Sequence, residues 1–376
     1  MRGNPEEELL ELKITKPTSY SPILHHCVVN LLGATRTVVS ICIALVLCSP
    51  VLEASELPTA KDVLQELQIS DRDRQQIREG QIVTWTAKEG SDRELALGMA
   101  LLVKTSAENL VELFREATAF KAESVIVTAY GKIAGDGKLA DFTGLKLEPN
   151  GEKEARQYLE AKPGDDLNLD MKEIAAFRAL KSASKDGAVP IEKVEALIRE
   201  ELQARYQAYH TKGLVGTAPY ARTSKQHVFV RDELSLATKQ SKLLAKYLPS
   251  VSAGLLNYPA TKIKEGEEFE EQFFWMNVEV SGRPTYVLSH RMHFRIGEAS
   301  IVVDRHFYAS HEYNSLQQGV AALPTKDGMV VTYLGRVSTD QVTGFGSSAK
   351  RPVARALLGS HIKDMLEALR AKAEKP

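Results

Sequence analysis

GMVVTYLGRVSTDQVTGFGSSAKRPVARALLGSHIKDMLEALRAKA, residues 328–373, decides the fold class. It opens as a β-rich run, MVVTYLGRVS, crosses a Gly- and Ser-bearing loop, and ends in a helix. Val353, Leu357, Leu358, Ile362, Met365, Leu366 and Leu369 recur at helical spacing and keep one face apolar. Ser347 or Ser348 can cap that helix, and Pro352 falls in its first turn, where proline is tolerated. Over 349–372 it would run about 36 Å. A long helix with one apolar face needs a broad apolar partner, and a sheet supplies one.

Working outward, three more β-rich runs precede it: EFEEQFFWMNVEV, TYVLSHRMHFRI and SIVVDRHFYAS, with Gly282, Gly297 and Gly328 as punctuation. Near the other end, IVTWTAKE and LALGMALLVKT read as strands, and SAENLVELFREATAF as a helix capped by Ser106. SVIVTAYGKIA is a further strand, and 59–81 an N-terminal helix. From about 150 to 265 the pattern turns helical and polar. Asp170 and Glu173 form a capping-box start, a helix runs from Pro190 to Gly213, and DELSLATKQSKLLAKYL is a third helix ended by Pro249. The expected class is α+β: a curved antiparallel sheet gripped by a long C-terminal helix, with a large helical insertion. If the sheet curves enough, a cavity remains between sheet and helix.

LALGMALLVKTSAENLVELFREA, a strand running into a Ser-capped helix, is similar to the opening of START-like, helix-grip proteins, and the closing strand and helix resemble their end. The resemblance covers roughly 95–145 and 265–372; the segment between departs from it. It implies a fold that holds a hydrophobic small molecule or lipid, although some members are enzymes.

The remaining signals concern compartment. TVVSICIALVLC, residues 37–48, follows Arg36 and is broken by Pro50, the shape of a secretory signal with cleavage after Ala54. Residues 1–54 are thus expected to be a signal peptide, and 55–376 the domain. The acidic run EEELLEL does not fit a signal's basic start, which places the true beginning nearer Val28 or Leu31. All three cysteines, Cys27, Cys42 and Cys48, precede the cleavage, which suits an oxidising compartment. The expected location is periplasmic or secreted, with an N-terminal membrane anchor as the alternative. A net charge of −1 gives no reason to expect a nucleic-acid partner. No cofactor is expected.

Strand alternation sorts the candidate residues. Ile301, Val303, Arg305 and Phe307 share one face; Val302, Asp304, His306 and Tyr308 share the other, which reads as the wetter side. In the preceding run Tyr286, His290, Met292 and Phe294 lie together, with Arg291 and His293 opposite. Arg305 and His290 are then polar groups among apolar ones, either partners in a core salt-bridge or hydrogen-bond network with Asp304 or a distant Glu, or placed to present a polar end to a ligand. Tyr286, Met292, Phe294 and Phe307, with Leu357 and Met365 of the helix, would line the rest. His306 is expected to be a surface or cross-strand histidine. DRHFYASHEYN, 304–314, lacks a zinc spacing, and no HExxH occurs. Two other readings stand: a hydrolase-type enzyme using His290, Arg305 and Asp340, with Ser338 as a nucleophile but no GxSxG elbow, and an envelope module binding a protein partner through the helical segment.

Overall fold

The computed structural model describes residues 57–115, 127–164, 166–184, 189–261, 267–280, 282–297, 299–344 and 346–375. The expected signal segment lies outside them. Leu57–Pro376 make one compact unit. Two short helices lead in: α1 (Ala60–Glu66), opened by a Thr59–Asp62 capping box, and α2 (Asp71–Arg78), capped by Ser70. β1 (Val83–Thr86) then pairs with β2 (Glu94–Val103), which is buried at every position, as its near-continuous apolar run requires. After α3 (Ala107–Arg115) comes β3 (Val127–Ile133).

The helical segment follows. It comprises α4 (Gly151–Leu159), α5 (Met171–Ala183) and α6 (Ile191–Lys212), a two-residue hairpin of β4 (Tyr220–Ala221) and β5 (His227–Val228), then α7 (Val230–Gln240), α8 (Lys242–Tyr247) and α9 (Pro249–Asn257). The third helix expected from the sequence is broken at Ser241, whose hydroxyl bonds back to the Ala237 carbonyl. Pro249 opens α9 rather than ending a helix, its fixed φ suiting the first turn.

β6 (Glu267–Val280), β7 (Arg283–Ile296), β8 (Ala299–Ala309), β9 (Ser315–Thr325) and β10 (Gly328–Ser338) form a consecutive antiparallel meander. β2 pairs antiparallel with β10 and β3 with β6, giving an eight-stranded sheet of order β1-β2-β10-β9-β8-β7-β6-β3. The chain ends in α10 (Ser347–Ala373). The fold is α+β.

Both faces of the sheet are covered. On one, α10 sets Ile362, Leu366, Leu369 and Ala373 against Leu97, Met99, Leu101, Val331 and Tyr333, together with Leu110 and Leu113 of α3. Burying each large aliphatic contributes about 1.5–3 kcal/mol. On the other, α1 packs Val63 and Leu64 on Ala100, Leu102 and Val330, α9 packs Val251 and Leu255 on Met292, Phe294, Ile301 and Val303, and α6 packs Tyr206 and Tyr209 on Phe273 and Phe307.

This two-sided burial corrects three expectations. His306 is on the face opposite Arg305 but is buried, because the far side is covered as well. Val353 and Leu357 are 61% and 59% exposed, since the helix packs on the sheet cluster from Leu358 and Gly359 onward. Tyr308 has changed sides: Leu288 pairs with Tyr308 and Ser289 with His306, so Phe307 is bulged out of register. Phe307 then stacks on Tyr209 with ring centroids 4.0 Å apart, and Tyr308 lies under Arg205, both partners on α6.

Candidate functional site

Three neighbouring strands build the floor of a slot from successive cross-strand rungs. The first rung is Arg305–Gln317–Arg336, the second Val303–Gly319–Leu334, and the third Ile301–Ala321–Thr332. Leu323, opposite Val330, closes the series. The floor therefore grades from charged to aliphatic along the strand direction. Above it, α1 contributes Val63 and Leu67, α8 Leu243, Leu244 and Tyr247, and β1 Trp85, leaving a cavity of about 510 Å³. Gly319 keeps the middle of the floor open: a Cβ there would meet nothing nearer than the Val302 carbonyl oxygen at 4.0 Å.

The polar end is built from behind. Arg305, fully buried, donates from Nε to Gln317 Oε1 (2.8 Å), from Nη2 to Thr238 Oγ1 (2.8 Å) and from Nη1 to the Leu255 carbonyl (2.6 Å). All three acceptors are neutral, and Arg305 forms no ion pair among the described residues. Burial pulls its pKa down. Because a guanidinium only donates, the Gln317 carbonyl must face Arg305, which turns the Gln317 amide nitrogen the other way. Arg336, on the same rung, pairs with buried Glu94 at 3.2 Å and bonds the Lys88 and Gln240 carbonyls at 3.0 and 3.4 Å. Lys88 and Lys242, both exposed, lie at this mouth of the slot and form no ion pair among the described residues. Glu66, the acidic side chain of the lining, is held by Lys246 at 2.6 Å.

The eight residues expected to line a ligand site do not come together in one cavity. Arg305 stands directly behind Gln317, and Ile301 and Val303 of its face do line the slot, but Arg305 itself does not. Met292 and Phe294 are packed under α9, and Tyr286 and Phe307 under the helical segment. Leu357 is exposed, and Met365 is half-buried on the opposite face beside the α10 cluster. An alternating face was read as facing α10; it faces the helical segment instead.

His290 is fully buried and centres a different arrangement. Its Nε2 lies 3.0 Å from Glu271 Oε2 and its Nδ1 2.9 Å from the Tyr209 hydroxyl. Its ring stacks on Phe273 at 4.2 Å and meets Tyr258 at 4.6 Å. Burial lowers its pKa against the opposing pull of Glu271. A neutral His290 thus donates from Nε2 to Glu271 and accepts from Tyr209, whose hydroxyl also faces the Arg305 guanidinium. This is proton-relay geometry, but Glu271, His290 and Tyr209 do not line the slot. The Ser338–His290–Asp340 triad drawn from sequence is not assembled: Asp340 is held by Arg93 at 2.5 Å and Arg222 at 2.8 Å.

The histidine-rich stretch disperses. Asp304 pairs with Arg291 at 2.9 Å and accepts from the Ser289 hydroxyl. His306 Nδ1 takes the Tyr313 hydroxyl at 2.7 Å, and burial pushes the imidazole pKa down to about 4. His311 Nε2 donates to the Pro284 carbonyl at 3.0 Å. Among the described residues no group of three His, Cys, Asp or Glu side chains is placed to hold a metal ion.

Sequence reasoning missed Gln317, Gly319, Tyr209 and Glu271. The first two lie on β9, a strand that is not among the β-rich runs read from the sequence. Its period-two set, Gln317, Gly319, Ala321 and Leu323, was the available signal. No protein-family model matches this chain, and no curated protein is similar to it in sequence.

Proposed function

We propose that this protein binds a hydrophobic small molecule or lipid in the slot between β8–β9–β10 and the α1 and α8 helices, without chemistry. The observation that carries this is the aliphatic floor with Gly319 at its centre. A strand position with open space above it, on a sheet otherwise covered on both faces, is room held for something else. The volume falls within the range of small-molecule pockets, and its lining is mainly apolar, with Gln317, Arg336, Lys88 and Lys242 among its polar groups.

We propose also that the fold is START-like with a helical insertion. In support are the antiparallel order with β2 beside β10 and β3 at the far edge, and the placement of α3 and α10 on one face. The space beneath α10 in this protein is occupied by Met99, Tyr333 and Leu366, each essentially fully buried. The ligand volume lies on the other face, where the helical segment has been added.

The test is mass spectrometry of organic extracts of the purified protein. A hydrophobic species is expected at near-stoichiometric amount from the wild type and at a much lower amount from Gly319→Val. Extracts free of any such species, from a protein that also takes up no added lipid, would contradict the reading.

The Glu271–His290–Tyr209 chain favours one second reading, a hydrolase-type enzyme using His290. It requires Phe273 or Tyr258 to swing aside, because general acid–base catalysis needs the substrate within hydrogen-bond reach. Loss of a hydrolytic activity in His290→Ala, with ligand retention intact, would support it.

A further inference from the structure

We infer that the occupant of the slot is an extended single-chain amphiphile with an anionic oxygen head, of long-chain carboxylate type, its head on the Gln317 amide and its tail towards Leu323. This rests on the binding reading above and adds the chemistry and the direction of the ligand.

The shape comes first. From Gln317 to Leu323 is six strand steps, about 20 Å at 3.3 Å per residue. That length accommodates an alkyl chain laid out along the strand direction. The gradient along the floor gives the chain a direction, because Val303, Leu334, Ile301, Ala321 and Leu323 offer no hydrogen bond to a polar head and the Thr332 hydroxyl is given to the Ala321 carbonyl.

The sign of the head follows from Arg305. A fully buried guanidinium surrounded only by neutral acceptors is a cation without a counter-ion among the described residues. Such a charge is costly unless something compensates it. The side chain between Arg305 and the slot is Gln317. Its carbonyl takes the guanidinium, and its amide nitrogen makes no hydrogen bond among the described residues. The Arg305 bond polarises that amide and makes its N–H a stronger donor. An anion seated there would meet an N–H donor directly and the Arg305 charge one side chain behind it. Lys88 and Lys242 at the same mouth add positive charge, while the nearby acids, Glu94 and Glu66, are already paired with Arg336 and Lys246. A neutral alcohol would gain the apolar contacts but leave Arg305 uncompensated; a cationic head would be repelled.

Three proteins and two probes test this by titration calorimetry, using hexadecanoate and hexadecan-1-ol on delipidated protein. The wild type should bind hexadecanoate at least tenfold more tightly than the alcohol. Gln317→Glu is nearly isosteric, keeps the acceptor for Arg305 and supplies the missing counter-ion internally. It should weaken hexadecanoate at least tenfold, leave the alcohol within about twofold, and fold as stably as the wild type or more so. Gly319→Val should weaken both probes together. Equal affinities for both probes, blocked together by Gly319→Val, would overturn the anionic head and leave the slot standing. Undiminished binding of both probes to Gly319→Val would overturn the slot itself.

Discussion

Among the described residues Arg305 heads the fully buried side chains in size, and what surrounds it sets the cost of losing it. Removing one partner of a buried ion pair strands a charge and costs about 3–5 kcal/mol. Here the groups left behind would be Gln317 Oε1, which keeps the Thr238 hydroxyl at 2.9 Å, Thr238 Oγ1 and the Leu255 carbonyl, all neutral, for which the penalty is about 1–3 kcal/mol. Arg305→Met should therefore fall in the lower range in urea denaturation; a loss above 4 kcal/mol would point to a carboxylate partner. His306 makes the second residue-scale prediction. It ionises near pH 6.5 when unfolded and near 4 when folded. The stability gained by keeping it neutral is complete above pH 6.5 and is lost as the pH falls from 6.5 towards 4, roughly 3 kcal/mol across the window. In His306→Asn, whose amide oxygen can take the Tyr313 hydroxyl, that loss should vanish, so the two stability curves should converge on acidification; parallel curves would refute the assignment. The side of the sheet on which Arg305 and His306 lie was readable from alternation alone. Burial of His306 was not, because one strand cannot report whether its polar face is also roofed. Nor was the swing of Tyr308, which depends on one unpaired residue, Phe307.

At the scale of elements, α10 separates pattern from packing. Its apolar stripe is continuous from Val353 to Leu369, yet the sheet cluster meets it only from Leu358 and Gly359 onward, and Arg351 and Arg355 tether the first turns to Glu89. Leu366→Ala should cost about 2–5 kcal/mol in chemical denaturation. Leu357→Asp, which a fully seated helix would not survive, should stay within about 0.5 kcal/mol of wild type. The reverse order of effects would mean the helix is seated differently. The strand–helix alternation at both ends of the chain, the capping box at Asp170 and the helix from 190 to 213 were legible because periodicity and caps are local signals. β9 was hidden because Gln317 and Gly319 do not look like strand residues. They are the residues that shape the slot, so the element least visible in sequence is the one that carries its floor. Gly319→Val, which introduces a β-branched side chain on an extended strand with room for it, should change stability little while closing the slot.

For the whole molecule, export is the expectation carried by residues 37–54, and the proposed binding volume lies on the sheet face away from the C-terminal helix. Among the described residues no helix is long and apolar enough to cross a membrane. N-terminal sequencing of the protein from the cell envelope should begin close to Ser55; an unprocessed chain in the cytosol would contradict export. The overall class was readable because a long amphipathic helix after several β-rich runs has few ways to bury its stripe. The side on which the cavity lies was not, because it depends on the long-range docking of α1 and α8 over β8–β10. The most direct test of that placement is the anomalous scattering of bromine in crystals grown with 16-bromohexadecanoate. The account predicts a bromine peak beside Leu323 and Ala299, with the carboxylate at the Gln317 amide. A bromine peak between the sheet and α10, or none at all, would contradict it.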